Sequence, residues 1–175
     1  WVFKELWEKD LIYQDYKVLP YSWAASTPLS NFEANLNYKD TQDPSVTVKF
    51  AITSEPNTFI LAWTTTPWTL PSNLALCAGP NLNYVCLQLH GSEEKYWICE
   101  GRLTAYFEEN SYDVIRKCAG KELEGLAYEP VFCFADGRVD LSKARCVLLD
   151  EYVSDESGTG IVHQAPAFGE DDLRI

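Results

Sequence analysis

The chain has 175 residues, enough for one domain with a real core, and its 46% apolar and 23% charged residues are ordinary for a globular protein. Ten Tyr, eight Phe and six Trp exclude a disordered chain, and no apolar run approaches the ~18 residues needed to cross a membrane. Twenty-six acidic against fourteen basic residues give a net charge of −12, which repels phosphate backbones and argues against a nucleic-acid-binding surface.

In chain order, Val2, Phe3, Leu6, Trp7 and Leu11 share one helical face, with Lys4, Glu5, Glu8 and Lys9 outside it. This predicts a packing helix over residues 1 to 11. Leu19 to Trp23 reads as extended, with a loop around Thr27 and Pro28. "SVTVKFAI" (45–52) alternates like a half-exposed strand, "EPNT" (55–58) marks a turn, and "FILAWTT" (59–65) is a second strand. "CAGPNL" marks another turn. "NYVCLQL" and "KYWIC" read as a hairpin, "EGRLTAYFEEN" as a short helix, and "VLLDEYV" and "GIVHQA" as late strands. Strands broken by turns every ten residues or so predict a closed or nearly closed β-barrel with helices on its rim. The expected class is mainly β with peripheral helices, α+β. There is no βαβ alternation, no GxGxxG and no GxxxxGK[ST].

No signal peptide is visible, and the chain lacks Met even at position 1, so it is expected to be a piece of a longer chain. Six cysteines lie mostly inside apolar runs and no pair has CxxC spacing, which favours buried free thiols in a reducing compartment over disulfides or zinc. "DESG" (155–158) reads as a solvated loop rather than a metal site.

Two stretches carry chemistry. In "WTTTPWTLPSN" (63–73), three β-branched threonines favour extended backbone, and Pro67 then removes a ladder donor. A strand end carrying three hydroxyls in fixed directions suits a water or a sugar hydroxyl. It equally suits a plain turn held by Ser/Thr side chains. In "GTGIVHQAPAFGEDD" (158–172), Gly158 and Gly160 permit close backbone approach, and His163 follows an apolar pair on a predicted strand. A structural histidine, and an N-cap with dipole-compensating acids at Asp171 and Asp172, are the plain alternatives. Together the stretches supply what a small cationic ester needs: a carboxylate for the ammonium, and hydroxyls and N–H groups for a water and an oxyanion. No GxSxG is present, which argues against a Ser-His-Asp hydrolase.

Both stretches resemble the editing domain, connective peptide 1, of isoleucyl-tRNA synthetases, and "TPLSNFEANLNYKDTQDPSV" resembles the preceding region of the eukaryotic cytosolic type. The related leucyl and valyl enzymes carry a TTRP pattern and lack the histidine after GTGxV, so Thr66 and His163 point to the isoleucyl member. The resemblance spans nearly the whole chain. It implies one β-barrel editing domain over residues 1–175, with a lead-in helix and connector at 1–17, cut from a multidomain cytoplasmic synthetase. Such a domain clears valine misattached to the 3′ end of the isoleucine tRNA, and valyl-adenylate, without metal or cofactor. ATP and Mg²⁺ serve the parent's synthetic site. No HxGH signature occurs here, with His90 and His163 the only histidines, so that reaction is not expected of this chain.

By resemblance, Asp172 anchors the substrate ammonium, and Thr64, Thr65 and Thr66 contact the aminoacyl ester, the terminal adenosine and the attacking water. His163 forms the pocket floor that shuts out isoleucine. Asn73 has a lesser pocket role, Gly160 allows backbone approach, and Trp68 either stacks on adenine or is buried as core. The family's domain usually continues past the aspartate motif. A truncated, non-catalytic module that only holds aminoacyl-adenosine is therefore the second reading, and a protein-contact β-domain the third. The acidic charge predicts weak, salt-sensitive tRNA binding, since the pocket reads only the single-stranded terminus.

Overall fold

A computed structural model describes all residues, Trp1 to Ile175, and divides them into two units, Trp1–Asp40 and Thr41–Ile175. In the first unit, α1 (Val2–Glu8) forms where the sequence periodicity places it, but none of its residues is buried. A two-residue ribbon follows, β1 (Tyr21–Ser22) with β2 (Thr27–Pro28). α2 (Asn31–Ala34) then begins with a capping box: Ser30 Oγ accepts from the Glu33 N–H (3.2 Å) while the Glu33 carboxylate accepts from the Ser30 N–H (2.9 Å).

The second unit is built on β3 (Val46–Ala51) and β4 (Thr58–Thr64), which pair antiparallel along their full length. Further along come β5 (Ala75–Ala78), β6 (Asn83–Leu89), β7 (Lys95–Cys99), α3 (Leu103–Tyr106), β8 (Tyr112–Ala119), β9 (Val147–Leu149), β10 (Ile161–Gln164) and α4 (Glu170–Arg174). The second edge of β4 is shared. Its first residues pair with β7 in parallel, and Trp63 pairs with Val162 of β10. The eight-stranded sheet therefore forks at β4 into β7-β6-β8 and β10-β5-β9. Residues 125–129 bridge the far edges: Tyr128 pairs with Ile52 beside β3, and Ala127 with Cys146 beside β9. The result is a strongly curled half-barrel, as the strand spacing predicts.

Burial follows position. β4 and β5 are central and almost wholly buried, so they read as apolar runs rather than alternations. The core gathers Phe50, Ile60, Leu76, Tyr84, Tyr128 and Ile161, with Phe50 and Tyr128 edge to face at 5.1 Å. The 55–58 turn is closed by Asn57 at positive φ, and the predicted β6–β7 hairpin is present.

Several expectations need correction. β8 is a strand the pattern did not show, because a register shift opposite Cys86 and Leu87 breaks its period of two at Ile115. "CAGPNL" is the end of strand β5 as much as a turn. "EGRLTAYFEEN" is a 3₁₀ turn (Glu100–Arg102) followed by one helical turn. All six cysteines are free, but only Cys77, Cys86 and Cys99 are buried, and Cys133 is exposed. Burial pushes the Cys77 thiol up to about 12.

Candidate active site

β4 delivers the threonines. Thr64 is its last residue, and Pro67 opens a 3₁₀ turn over Pro67–Ser72. Proline suits this first position because its missing N–H would be unpaired anyway. The Thr66 N–H donates to Thr64 Oγ1 (3.0 Å), and the Thr69 hydroxyl donates to the Thr66 carbonyl (2.8 Å). The Ser/Thr turn is therefore real, but it uses only some of the hydroxyls. Thr65 and Thr66 face out, and Thr66 Oγ1 lies 3.3 Å from Thr64 Oγ1 and 3.5 Å from Thr69 Oγ1. Sequence reasoning passed over Thr69. Its signal was the three-residue spacing from Thr66, which eclipses side chains in a 3₁₀ turn.

β10 delivers His163, 6% exposed. Asn73, which ends the 3₁₀ turn, donates through Nδ2 to the Ala75 carbonyl (2.9 Å) and to His163 Nδ1 (3.1 Å). The Tyr128 hydroxyl donates to Asn73 Oδ1 (2.7 Å), which fixes the amide orientation. With Nδ1 accepting, the ring proton sits on Nε2 and is given to Thr69 Oγ1 (2.7 Å). A proton-donating chain thus runs from Tyr128 through Asn73, and another from His163 through Thr69 to the Thr66 carbonyl. Both imidazole nitrogens are taken. Burial lowers the His163 pKa, opposed by the Asp172 charge, so the ring is held neutral, and with both nitrogens engaged it has none free to take a proton from a water.

This has a consequence for stability. The unfolded histidine takes up a proton near 6.5, the folded one only at lower pH. Between those values the unfolded chain binds more protons, so acid destabilises the fold below about pH 6.5 and the loss levels off below the folded pKa. Melting temperatures of wild type and His163→Asn across pH 5 to 7.5 check this. Part of the acid slope should vanish in the variant.

α4 delivers Asp172. The expected side-chain N-cap is absent: Gly169 occupies the cap position, and Glu170, Asp171 and Asp172 form the first turn. Asp172 instead reaches back, and its Oδ1 accepts from the Ala165 N–H (2.9 Å) just past β10. Its other oxygen fills the space a side chain at 169 would take, since a Cβ there would lie 1.7 Å from Asp172 Oδ2. The Gly169 φ of −137° suits any residue. Gly169→Ala is therefore expected to turn the carboxylate aside and, by leaving the buried Ala165 N–H short of its acceptor, to lower stability by about 1–3 kcal/mol. A titration with a non-hydrolysable valyl-adenosine amide should show binding weakened about tenfold or more, the scale of one charge-assisted hydrogen bond.

The pairing of Trp63 with Val162 sets these parts around one cleft of about 410 Å³. Thr64, Thr65, Thr66, His163 and Asp172 line it, as do Thr69, Tyr152 and Phe168, which sequence reasoning missed. Trp68 stands on its rim, 64% exposed, so the core alternative for it is excluded. Asn73 lies behind His163 and holds it, away from the cleft surface. Gly160 lines a separate, smaller depression. Its carbonyl accepts from the Tyr84 hydroxyl (2.6 Å), and a Cβ there would lie 2.3 Å from Cys99 Cβ, so packing accounts for this glycine. No group of three or more His, Cys, Asp or Glu side chains converges as metal ligands would.

The model of class I tRNA synthetases (I, L, M and V) matches residues 1–151. The chain belongs to this family. It is 49% identical to the cytoplasmic isoleucine–tRNA ligase of Mus musculus over all of this chain and 14% of that protein. It is equally 49% identical to the isoleucine–tRNA ligase of Bdellovibrio bacteriovorus, over 98% of this chain and 16% of that protein. The chain thus spans about one-seventh of these relatives' length. Its fold is that of a CP1 editing domain. GlLeuRS-CP1 superposes with a TM-score of 0.61 at 18% identity, covering 75% of this chain and 58% of that one. The cytosolic leucyl-tRNA synthetase editing domain of P. falciparum gives 0.55 at 17% identity, covering 66% and 44%.

Proposed function

We propose that this cleft hydrolyses the ester linking valine to the 3′ end of the isoleucine tRNA, as the cytoplasmic editing site of an isoleucine–tRNA ligase, with valyl-adenylate as a second substrate. The observation that carries the reading is the joining of the threonine wall and the Asp172 carboxylate across a floor made by a locked, neutral histidine. The substrate ammonium pairs with Asp172 by a charge-assisted bond. Thr65 and Thr66 hold the ester and a water against its carbonyl carbon. The water oxygen bonds to that carbon, and the carbon–oxygen bond to the ribose breaks. The departing ribose oxygen takes one of the water's two protons and the new carboxylic acid releases the other to solvent, so valine and a free tRNA terminus result. Hydroxyl and backbone donors steady the oxyanion on the way. The reading requires no metal or cofactor, because the water is held by hydroxyls; ATP and Mg²⁺ belong to the parent's synthetic site. Trp68 offers a face for the terminal adenine, a kind of contact worth about 1–3 kcal/mol per base.

One observation favours a second reading. His163 has no free nitrogen, so the cleft offers no imidazole base. A module that holds aminoacyl-adenosine without turnover would look the same. Titration with the valyl-adenosine amide, followed by incubation with the valyl ester of the isoleucine tRNA, separates the two. Binding with release of valine supports editing; binding without release supports the holding module; no binding contradicts both.

A further inference from the structure

α4 is only five residues long and buries none of them. A helix this short has no stability of its own in water. Yet it carries Asp172, whose value as an anchor depends on placement. Its polar ties to the body are few. One is the bond from the Ala165 N–H to Asp172 itself. The other is Arg174, whose Nη1 and Nη2 donate to the two Asp150 oxygens (2.8 and 3.1 Å), while Nη2 also reaches Asp171 Oδ1 (3.2 Å).

Asp150 is itself fixed. It follows β9 directly, its N–H donates to the Ala78 carbonyl of β5 (3.1 Å), and its Oδ1 accepts from the Tyr152 N–H (3.1 Å). β5 pairs with β10, the strand that carries His163. The forked guanidinium thus joins the helix bearing the carboxylate to the same sheet that bears the pocket floor. Both partners' pKa values move as a tight pair requires, Asp150 down and Arg174 up.

We infer that the Arg174–Asp150 pair is the positioning device of the site: it sets where the Asp172 carboxylate stands relative to the threonine wall. This rests on the proposed role of Asp172. The Arg174 side chain is 53% exposed, and an exposed pair contributes little to global stability. Its loss should therefore leave the fold intact and move only α4.

The test compares wild type with Arg174→Met, Asp150→Asn, the exchanged double variant Asp150→Arg/Arg174→Asp, and Asp172→Ala. Each is assayed for valyl-ester hydrolysis on the isoleucine tRNA, for melting temperature, and for the NMR shift of the Ala165 amide. That amide reports on the Asp172 bond without any turnover. The expected result is a fall of about 10- to 100-fold in kcat/KM for each single variant, the scale of an ångström-sized misplacement. The Ala165 amide should shift, melting should hardly change, and the exchanged pair should recover activity at least in part. Wild-type hydrolysis and an unmoved Ala165 amide in Arg174→Met and Asp150→Asn would overturn the inference. If Asp172→Ala itself still hydrolyses the ester, the reading of Asp172 fails instead, and the two failures are distinguishable.

Discussion

Asp172→Ala is expected to reduce kcat/KM for the valyl ester by about 10²-fold or more. A hydrogen bond to a charged group is worth about 1.5–3 kcal/mol, and a lost anchor also frees the reacting ester to wander. The substitution also leaves the Ala165 N–H without its acceptor. Asp172→Asn separates these effects. The asparagine oxygen can still accept from Ala165, but the charge proposed to meet the ammonium is gone. The asparagine variant should therefore melt like wild type and still fail to bind the valyl-adenosine amide. Calorimetric titration checks it. Wild-type affinity in Asp172→Asn would show that the ammonium is held elsewhere.

His163→Ala is expected to act on selectivity. The ring fills the cleft floor and is held on both sides, by Asn73 at Nδ1 and Thr69 at Nε2. Its removal deepens the pocket where the extra methylene of isoleucine would go. One methylene in an apolar pocket is worth about 1–3 kcal/mol, a magnitude established on isoleucyl-tRNA synthetase itself and not obtained from this fold. The preference for valyl over isoleucyl ester should accordingly shrink by about 10- to 100-fold. The variant also leaves the Asn73 amide and the Thr69 hydroxyl short of a partner, a cost of about 1–3 kcal/mol in stability. Parallel deacylation of the two esters, with melting curves, measures both effects. An unchanged preference would remove His163 from the sieve.

Much of the architecture was legible because the strands are short and turn-bounded. β3, β4 and the β6–β7 hairpin follow directly from residues 45–99. β8 escaped because its bulge at Ile115 spoils the alternation. The two motifs were legible, and chemistry and resemblance joined them into one candidate site, but nothing local shows how they meet. Their meeting depends on the parallel pairing of Trp63 with Val162, a long-range contact that no local pattern encodes. The threonines could be read as either a turn or a wall; the Thr64 and Thr69 hydroxyls do close the turn, and all of Thr64, Thr65, Thr66 and Thr69 line the cleft, which leaves the wall's role to the proposed chemistry. Gly160 was assigned to the site because positive φ fits close ligand approach, whereas here it fits Cys99 and Tyr84. Asn73 has its lesser pocket role from resemblance alone, and an amide near a Pro-rich turn gives no hint of its partner 90 residues on. Tyr128 was invisible as a site residue, because a buried tyrosine reads as core until its hydroxyl is placed, and Tyr152, exposed on the cleft, was hidden in a stretch read as a strand.

The most direct measurement is the rate at which this chain releases amino acid from isoleucine tRNA carrying valine, and from the same tRNA carrying isoleucine, at equal concentrations under single turnover. The account predicts that the valyl ester is cleaved at least about tenfold faster, as a size sieve with one methylene of discrimination requires. Equal rates for the two esters, or no release above the buffer rate from either, would contradict it.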